Sequence, residues 1–335
     1  MPVSKEVHLV ARPDGEPKPE DFAVIETNVD APGPGQIQVR NDWISVDPYM
    51  RGRMNDTKSY VAPFRLGEVM DGGAVGTVVA SESPDVPVGA SVLHFQGWRQ
   101  YALMDAARAK VVDTEAAPAQ AYLSALGMVG LTAYAGLTAI AELKEGDVVF
   151  VSGAAGAVGS LAGQMARQLG ASKVIGSAGG PEKKRRLLEE FGFDAAIDYR
   201  EGDLEGQLAE AAPDGIDVYF DNVGGDHLRA AIQGMRVHGR AALCGAISVY
   251  NDTEPAPGPD NLGLLVGKRV KLQGFLVGDH GDLAPEYYER AAGWLAEGKL
   301  HSKVTVVDGI DNAVDAFLGM MRGANTGKML VRLPA

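Results

Sequence analysis

Apolar positions fall into two regimes along the chain. Through about the first 120 residues they come in short branched runs bounded by Gly, Pro or Asp, at 7–10, 36–39, 74–79 and 91–95. That is the pattern of β-strands. After Asp147 buried strands alternate with amphipathic helices. Val148-Val149-Phe150-Val151 is a fully apolar strand, and a helix over 160–169 keeps Leu161, Met165 and Leu169 on one stripe. Strand 173–177, a helix at about 181–191 and a short strand 195–198 follow. Runs at 216–221 and 240–244, with a helix between them, repeat the theme, and 270–277 is a further strand. Such alternation predicts an α/β architecture with a parallel sheet covered on both faces. The tail reads as helix 285–297, strand 303–307, helix 310–322 and strand 328–332, and by pattern alone it joins either unit.

The uncharged run from 116 to 141 is 26 residues long, enough to span a bilayer of ~20 residues. Pro118, Gln120, Ser124, Gly127, Gly130 and Gly136 interrupt it and Glu115 and Glu142 flank it, whereas a span favours basic flanks and a Leu/Ile/Phe centre. A pair of small-residue helices packed against a sheet is expected instead. The Pro-rich stretch 254–260 reads as a loop.

Composition narrows the function. A length of 335 residues suggests two domains. A net charge of −13 disfavours nucleic acid and anionic lipid as partners. No apolar leader follows Met1, so the cytoplasm is the expected compartment. The single cysteine, Cys244, supplies neither an internal disulfide nor a thiolate zinc cage. His8, His94, His227, His238, His280 and His301 are scattered without metal-ligand spacing, so no metal is expected. No GxSxG elbow and no P-loop lysine is present. Cys244 itself reads as packing at a strand end.

Glycine is in excess, 43 of 335 residues against a usual share of about 7%, and its placement carries the chemistry. Strand 148–151 runs into Ser152-Gly153-Ala154-Ala155-Gly156-Ala157-Val158-Gly159-Ser160 and then a helix. This is a variant dinucleotide fingerprint: Gly156 admits a pyrophosphate, Gly159 lets helix and strand pack closely, and the helix start offers N–H groups to the anion. After the second strand stands Gly176-Ser177-Ala178-Gly179-Gly180-Pro181-Glu182-Lys183-Lys184-Arg185-Arg186. An NAD site places Asp or Glu near there to accept from the ribose hydroxyls. None is present, and small residues followed by Lys183 suit a 2′-phosphate, so NADP(H) is expected. At least two of the four cations at 183–186 are expected to be a solvated helix face. With no other reactive constellation, hydride chemistry borne by the cofactor needs only binding, orientation and one or two donors.

At these residues the chain resembles the zinc-independent medium-chain dehydrogenase/reductase superfamily, in its prostaglandin/leukotriene reductase-like branch with alkenal/one double-bond reductases and curcumin reductase-like enzymes. The likeness runs nearly the whole length. It rests on Asp47-Pro48-Tyr49-Met50-Arg51-Gly52-Arg53-Met54, Gly67-Glu68-Val69-Met70, Leu131-Thr132-Ala133-Tyr134 and the glycine turn, then Phe220-Asp221-Asn222-Val223-Gly224-Gly225, Cys244-Gly245-Ala246-Ile247-Ser248-Val249-Tyr250-Asn251, Gly274-Phe275 and Asn325-Thr326-Gly327-Lys328. The resemblance implies a GroES-like β-rich catalytic domain over 1–125, completed by 300–335, and a Rossmann NADP-binding domain with a doubly wound parallel sheet over 126–299. It implies Gly156, Ala157, Val158 and Gly159 at the pyrophosphate, and Lys183 and Tyr199 at the 2′-phosphate. It further implies Asn222, Cys244, Gly245, Ile247, Ser248, Tyr250, Phe275, Leu276, Val277 and Asn325 along the ribose and nicotinamide. Zinc-dependent relatives carry Gly-His-Glu where this chain has Gly67-Glu68. The family's usual Ala-Gly-Ser is Ala178-Gly179-Gly180 here, one phosphate donor fewer.

The activity so implied is reduction of a C=C bond conjugated to a carbonyl, with hydride delivered to the β-carbon. Charge develops on the carbonyl oxygen, where a placed donor is worth ~3–4 kcal/mol. Tyr250 is the expected donor, and the α-carbon proton comes from Tyr250 or water. Tyr49 is expected either as pocket wall or as an anchor between domains. The partners implied are a small enal or enone and a second copy of the chain, paired along a sheet edge near 270–277. Two alternatives stand: an NADPH quinone oxidoreductase of the same superfamily, and a non-catalytic dinucleotide-binding protein.

Overall fold

The computed structural model describes residues 2–334 and falls into two units, Met1–Leu123 with Val304–Asn325 and Met329–Ala335, and Ser124–Lys303 with Thr326–Lys328. In the first, branched and aromatic residues make strands β1 (Val3–Leu9), β2 (Phe22–Asn28), β3 (Gln36–Ser45), β4 (Ala74–Ser81), β5 (Ser91–His94), β6 (Tyr101–Asp105) and β7 (Lys110–Val111). β1 and β2 pair as an antiparallel ribbon with Val7 opposite Val24. β3 is the axis of the larger antiparallel sheet, with Ile44 opposite Ala74 of β4 and Val39 opposite Ala102 of β6. A one-turn helix, α1 (Tyr49–Arg53), follows β3 and buries Met50 with Met54, Trp98 and Phe317.

In the second unit the strand–helix alternation is realised. Helix α2 (Met128–Ala135) precedes β8 (Val148–Val151), α3 (Ala157–Gln168), β9 (Lys173–Ala178), α4 (Pro181–Glu189), β10 (Ala195–Asp198), α5 (Leu204–Ala211), β11 (Ile216–Asp221), α6 (Gly225–Gly234), β12 (Met235–Leu243), α7 (Gly263–Lys268), β13 (Lys271–Gly274) and α8 (Ala284–Ala296). The six strands are parallel, in the order β10-β9-β8-β11-β12-β13. The central strands face apolar residues both ways. On β8, Val149 and Val151 enter one core while Phe150 stacks on Tyr219 at 5.2 Å in the other. The order reverses direction between β8 and β11, which opens a crevice at the carboxyl ends of those two strands.

The chain then supplies β14 (Val304–Asp308), α9 (Ala313–Met321) and β15 (Lys328–Arg332), and β15 joins β3 with Leu330 opposite Ser45. The seven-stranded sheet of the first unit is thereby completed by the tail.

Several elements differ from expectation. The 116–141 run holds a 3₁₀ turn, Ala119–Leu123, and α2 continuing into a π turn, Gly136–Ile140, rather than two helices. Its small residues serve close approach: a Cβ on Gly130 would collide with the Tyr287 hydroxyl, which donates to the Ala125 carbonyl. No helix among the described residues is long and apolar enough to cross a membrane. Strand 270–277 stops at Gly274, because Phe275 turns its ring edge-on to Phe220 at 6.4 Å and a 3₁₀ turn begins at Val277. β12 starts at Met235, across a register shift where His238 takes a φ of 66°. β2, β6 and β7 were not expected at all; β2 exposes or half-exposes every residue but Phe22, so it shows no alternation.

Candidate functional site

The glycine turn sits at the carboxyl end of β8. Gly153 takes a φ of 58°, a conformation open to glycine, and its carbonyl lies where a Cβ on Gly159 would be. That same Cβ would come within 2.9 Å of the Ala154 Cα, so only glycine lets α3 start this close to the strand. Gly156 is the N-cap of α3 in extended backbone, and no side chain caps the helix. Gly156, Ala157 and Val158 are half-buried, so their side of the turn remains open. A glycine-lined helix start without a side-chain cap fits a pyrophosphate. The turn is braced by the segment Thr326–Lys328, whose Gly327 N–H donates to the Ala155 carbonyl at 2.8 Å.

The next corner lies at the ends of β9 and β10. Gly180 has a φ of 95° and starts α4 behind Pro181. Asp198, at the end of β10 and 3% exposed, uses its Oδ1 to accept from the N–H of Gly180 at 2.8 Å and of Arg200 at 3.0 Å. The carboxylate at this corner is therefore engaged with backbone. Lys183 is half-buried on α4; burial lowers its ammonium's proton affinity, and nearby Arg200 adds to that. Tyr199 stands edge-on to His227 at 5.3 Å, and His227 shares a hydrogen bond of 2.9 Å with the Ser177 hydroxyl. The other three cations of α4 are committed on its surface. Lys184 pairs with Glu201 at 3.6 Å, Arg185 with Glu182 at 2.9 Å and with Glu189, and Arg186 with Glu182 at 2.9 Å. The corner thus holds Lys183 and Tyr199 as expected, with Arg200, Asp198 and His227 beside them, which the sequence reading did not single out. Arg200 directly follows Tyr199, and that adjacency was the available signal.

The ends of β11 and β12 are knitted together by Asp221. Its Oδ1 accepts from the Tyr219 hydroxyl at 2.6 Å, Gly224 N–H at 2.8 Å, Val223 N–H at 2.9 Å and the Ser152 hydroxyl at 3.0 Å. Ser152 in turn receives the Asn222 N–H on its hydroxyl, and its carbonyl accepts from the Asn222 amide at 2.7 Å. The Asp221 carbonyl takes the N–H groups of Cys244 and Gly245, and those of Ile247 and Ser248 reach the carbonyls of Asn222 and Val223. Loop 244–250 is thus hydrogen-bonded to the segment that leaves the carboxyl end of β11. Tyr250 folds back along it, its hydroxyl accepting from Ala246 N–H at 3.3 Å. Burial, with Asp221 adding, pushes the Cys244 thiol up to about 12, which makes it inert as a nucleophile. Phe275 packs on Phe220, and Leu276 is 39% exposed. The structure therefore brings the expected residues from 156 to 277 onto one sheet, at the carboxyl ends of its strands.

Tyr49 and Asn325 belong to the first unit. Tyr49 opens α1; burial, with Asp47 adding, raises its phenol well above the ordinary value. Ser45 hydrogen-bonds Asp47, Arg53 pairs with Asp71, and the Arg53 guanidinium lies 4.0 Å over the Phe64 ring, so this short helix is held at both ends. Asn325 is buried and precedes Thr326–Lys328 in the chain. Among the described residues no three His, Cys, Asp or Glu side chains form a group that could hold a metal.

A doubly wound sheet with this glycine turn defines a dinucleotide-binding fold. Family models match in both units: the N-terminal domain of oxidoreductase over residues 5–112, and zinc-binding dehydrogenase over 157–297. An NADPH-dependent curcumin reductase of Escherichia coli is 41% identical over 97% of this chain and 95% of its own. An NADP(+)-dependent 2-alkenal reductase of Nicotiana tabacum is 40% identical over 98% and 97%. The crystal structure of CurA from Vibrio vulnificus in complex with NADPH superposes with a TM-score of 0.94, at 40% identity over 99% of both chains. The chain belongs to the zinc-independent branch of the medium-chain dehydrogenase/reductase superfamily.

Proposed function

We propose that this chain is an NADPH-dependent reductase of the C=C bond in α,β-unsaturated aldehydes and ketones. What supports it most is the joined edge at β11 and β12, which holds Asn222 and Tyr250 on one hydrogen-bonded frame where a nicotinamide site forms in such sheets. The names of the curcumin and 2-alkenal reductases, each at 40% identity or more, support the substrate class.

Bound NADPH supplies the hydride. Gly156, Ala157, Val158 and Gly159 hold its pyrophosphate through backbone N–H groups, and Lys183 and Tyr199 receive the 2′-phosphate. Asn222, loop 244–250 and Phe275–Val277 fix the nicotinamide half. Tyr250 donates a hydrogen bond to the carbonyl oxygen as charge develops there, a placed donor being worth ~3–4 kcal/mol. Two copies pair along the edge strand β13, beside which Val266 of α7 is 81% exposed.

Loss of reduced-nicotinamide absorbance with a simple 2-alkenal, an aryl enone and a quinone tests the reading. Turnover of the first two above the quinone is expected. Quinone turnover alone makes the chain a quinone oxidoreductase, and binding without turnover of any of them makes it a dinucleotide-binding protein.

A further inference from the structure

We propose that Arg200 is a specificity-determining cation of this chain, its guanidinium closing on the 2′-phosphate of NADPH across the Gly179–Gly180 turn. The inference rests on the NADPH reading above and names a residue beyond it.

Placement comes first. A Cβ on Gly179 would lie 2.7 Å from the Tyr199 hydroxyl and 2.8 Å from Arg200 Nε, and one on Gly180 would lie 3.7 Å from Arg200 Nη1. Both side chains therefore lie back over the turn, in space that two glycines leave open. Asp198 fixes this arrangement by accepting from the Gly180 and Arg200 N–H groups with one oxygen, so the two segments move together.

Charge comes second. The cations around Arg200 at 184, 185 and 186 are each paired with a carboxylate, and Glu201 beside it is taken by Lys184. Among the described residues no ion pair reaches Arg200, which is exposed and close enough to Lys183 to disfavour that ammonium. An anion placed beside Arg200 offsets the repulsion that its guanidinium exerts on the Lys183 ammonium. A phosphate monoester carries about −1.5 to −2 charges and acceptor oxygens that match the guanidinium fork.

Backbone comes third. At a φ of 95° Gly180 occupies a conformation that a side-chain-bearing residue adopts only under strain. Gly180 offers no side-chain donor of its own, and Arg200 supplies donors from across the turn.

The test is calorimetric binding of adenosine 2′,5′-bisphosphate and 5′-AMP to the full chain, its Arg200→Ala and Arg200→Lys variants, and Lys183→Ala. The intact chain is expected to favour the bisphosphate. Arg200→Ala should weaken the bisphosphate by about tenfold and leave 5′-AMP unchanged, as loss of a charge-assisted contact requires. Arg200→Lys should fall between, keeping charge without the fork, and Arg200→Ala should also flatten the salt dependence of bisphosphate binding. Bisphosphate affinity unchanged in Arg200→Ala but lowered in Lys183→Ala overturns the role of Arg200 and leaves the NADPH reading standing. Equal weakening of both ligands makes Arg200 a support of the turn, which also overturns it. An intact chain that binds 5′-AMP as well as the bisphosphate overturns the NADPH reading itself.

Discussion

Asp221→Asn isolates the frame that carries the nicotinamide side of the site. The carboxylate is 2% exposed, and one oxygen accepts four donors between 2.6 and 3.0 Å, from Tyr219, Gly224, Val223 and Ser152. Asparagine keeps the shape and the carbonyl oxygen but removes the charge. A hydrogen bond to a charged group contributes about 1.5–3 kcal/mol against about 0.5–1.5 for a neutral one. Four such differences sharing one atom are not additive, so a net loss of about 2–4 kcal/mol is expected. Because Ser152 and the 222–224 backbone hang from that oxygen, Asn222 and loop 244–250 loosen with it, and NADPH affinity should fall about tenfold. Urea unfolding gives the first quantity, and quenching of intrinsic fluorescence by NADPH the second. A variant within about 0.5 kcal/mol of the parent, the range of an ordinary surface change, would refute the frame. A destabilised variant with parental NADPH affinity would separate the frame from the site.

Three further outcomes follow from named contacts. Tyr250→Phe should lower kcat by roughly 10²-fold or more while NADPH affinity stays within a factor of about two, since the lost donor acts only as charge develops; unaltered turnover removes Tyr250 from the chemistry. Gly159→Ala should destabilise by about 1–3 kcal/mol and weaken NADPH, because the new methyl meets the backbone of Gly153 and Ala154; a crystal structure with α3 unmoved and full affinity would contradict this. His94 is buried, its Nδ1 accepts from Gln96 N–H at 3.0 Å, and burial, with Arg99 adding, lowers its pKa to about 3. A depressed folded value means the unfolded chain takes the proton first, so stability is full above 6.5 and is lost as pH falls toward about 3. The slope is about 1.4 kcal/mol per pH unit. His94→Asn, which keeps an acceptor for Gln96, should flatten that slope in unfolding curves taken across the window, and an unchanged slope would assign the acid loss to other groups.

The parallel sheet was legible wherever a strand is buried on both faces. Ile216–Asp221 and Ala195–Asp198 run where their apolar residues and flanking Gly and Asp place them. β2 was not, because a largely exposed strand carries no alternation to read. At the site, the glycine turn was legible from spacing alone, since Gly156 and Gly159 answer local steric needs between neighbours in sequence. The 221 frame and the 198–200 corner were not. Asp221 is one acid at a strand end until folding brings Ser152 to it, and Arg200 is one surface cation until Asp198 ties it to Gly180. Roles that arise from hydrogen bonds between distant segments leave no periodicity behind.

The bond from Gly327 to Ala155 has a consequence for how the molecule is made. During synthesis the acceptor carbonyl emerges long before its donor, and all of Ser124–Lys303 is available to collapse in the interval. The doubly wound sheet can therefore assemble while its phosphate turn still lacks this brace, and the turn gains it only when Thr326–Lys328 arrives. Contacts of such long sequence separation form late. Nascent chains halted before residue 326 should hold a folded sheet whose amides around the turn exchange with solvent. Acquisition of cofactor affinity would then mark the last step of folding.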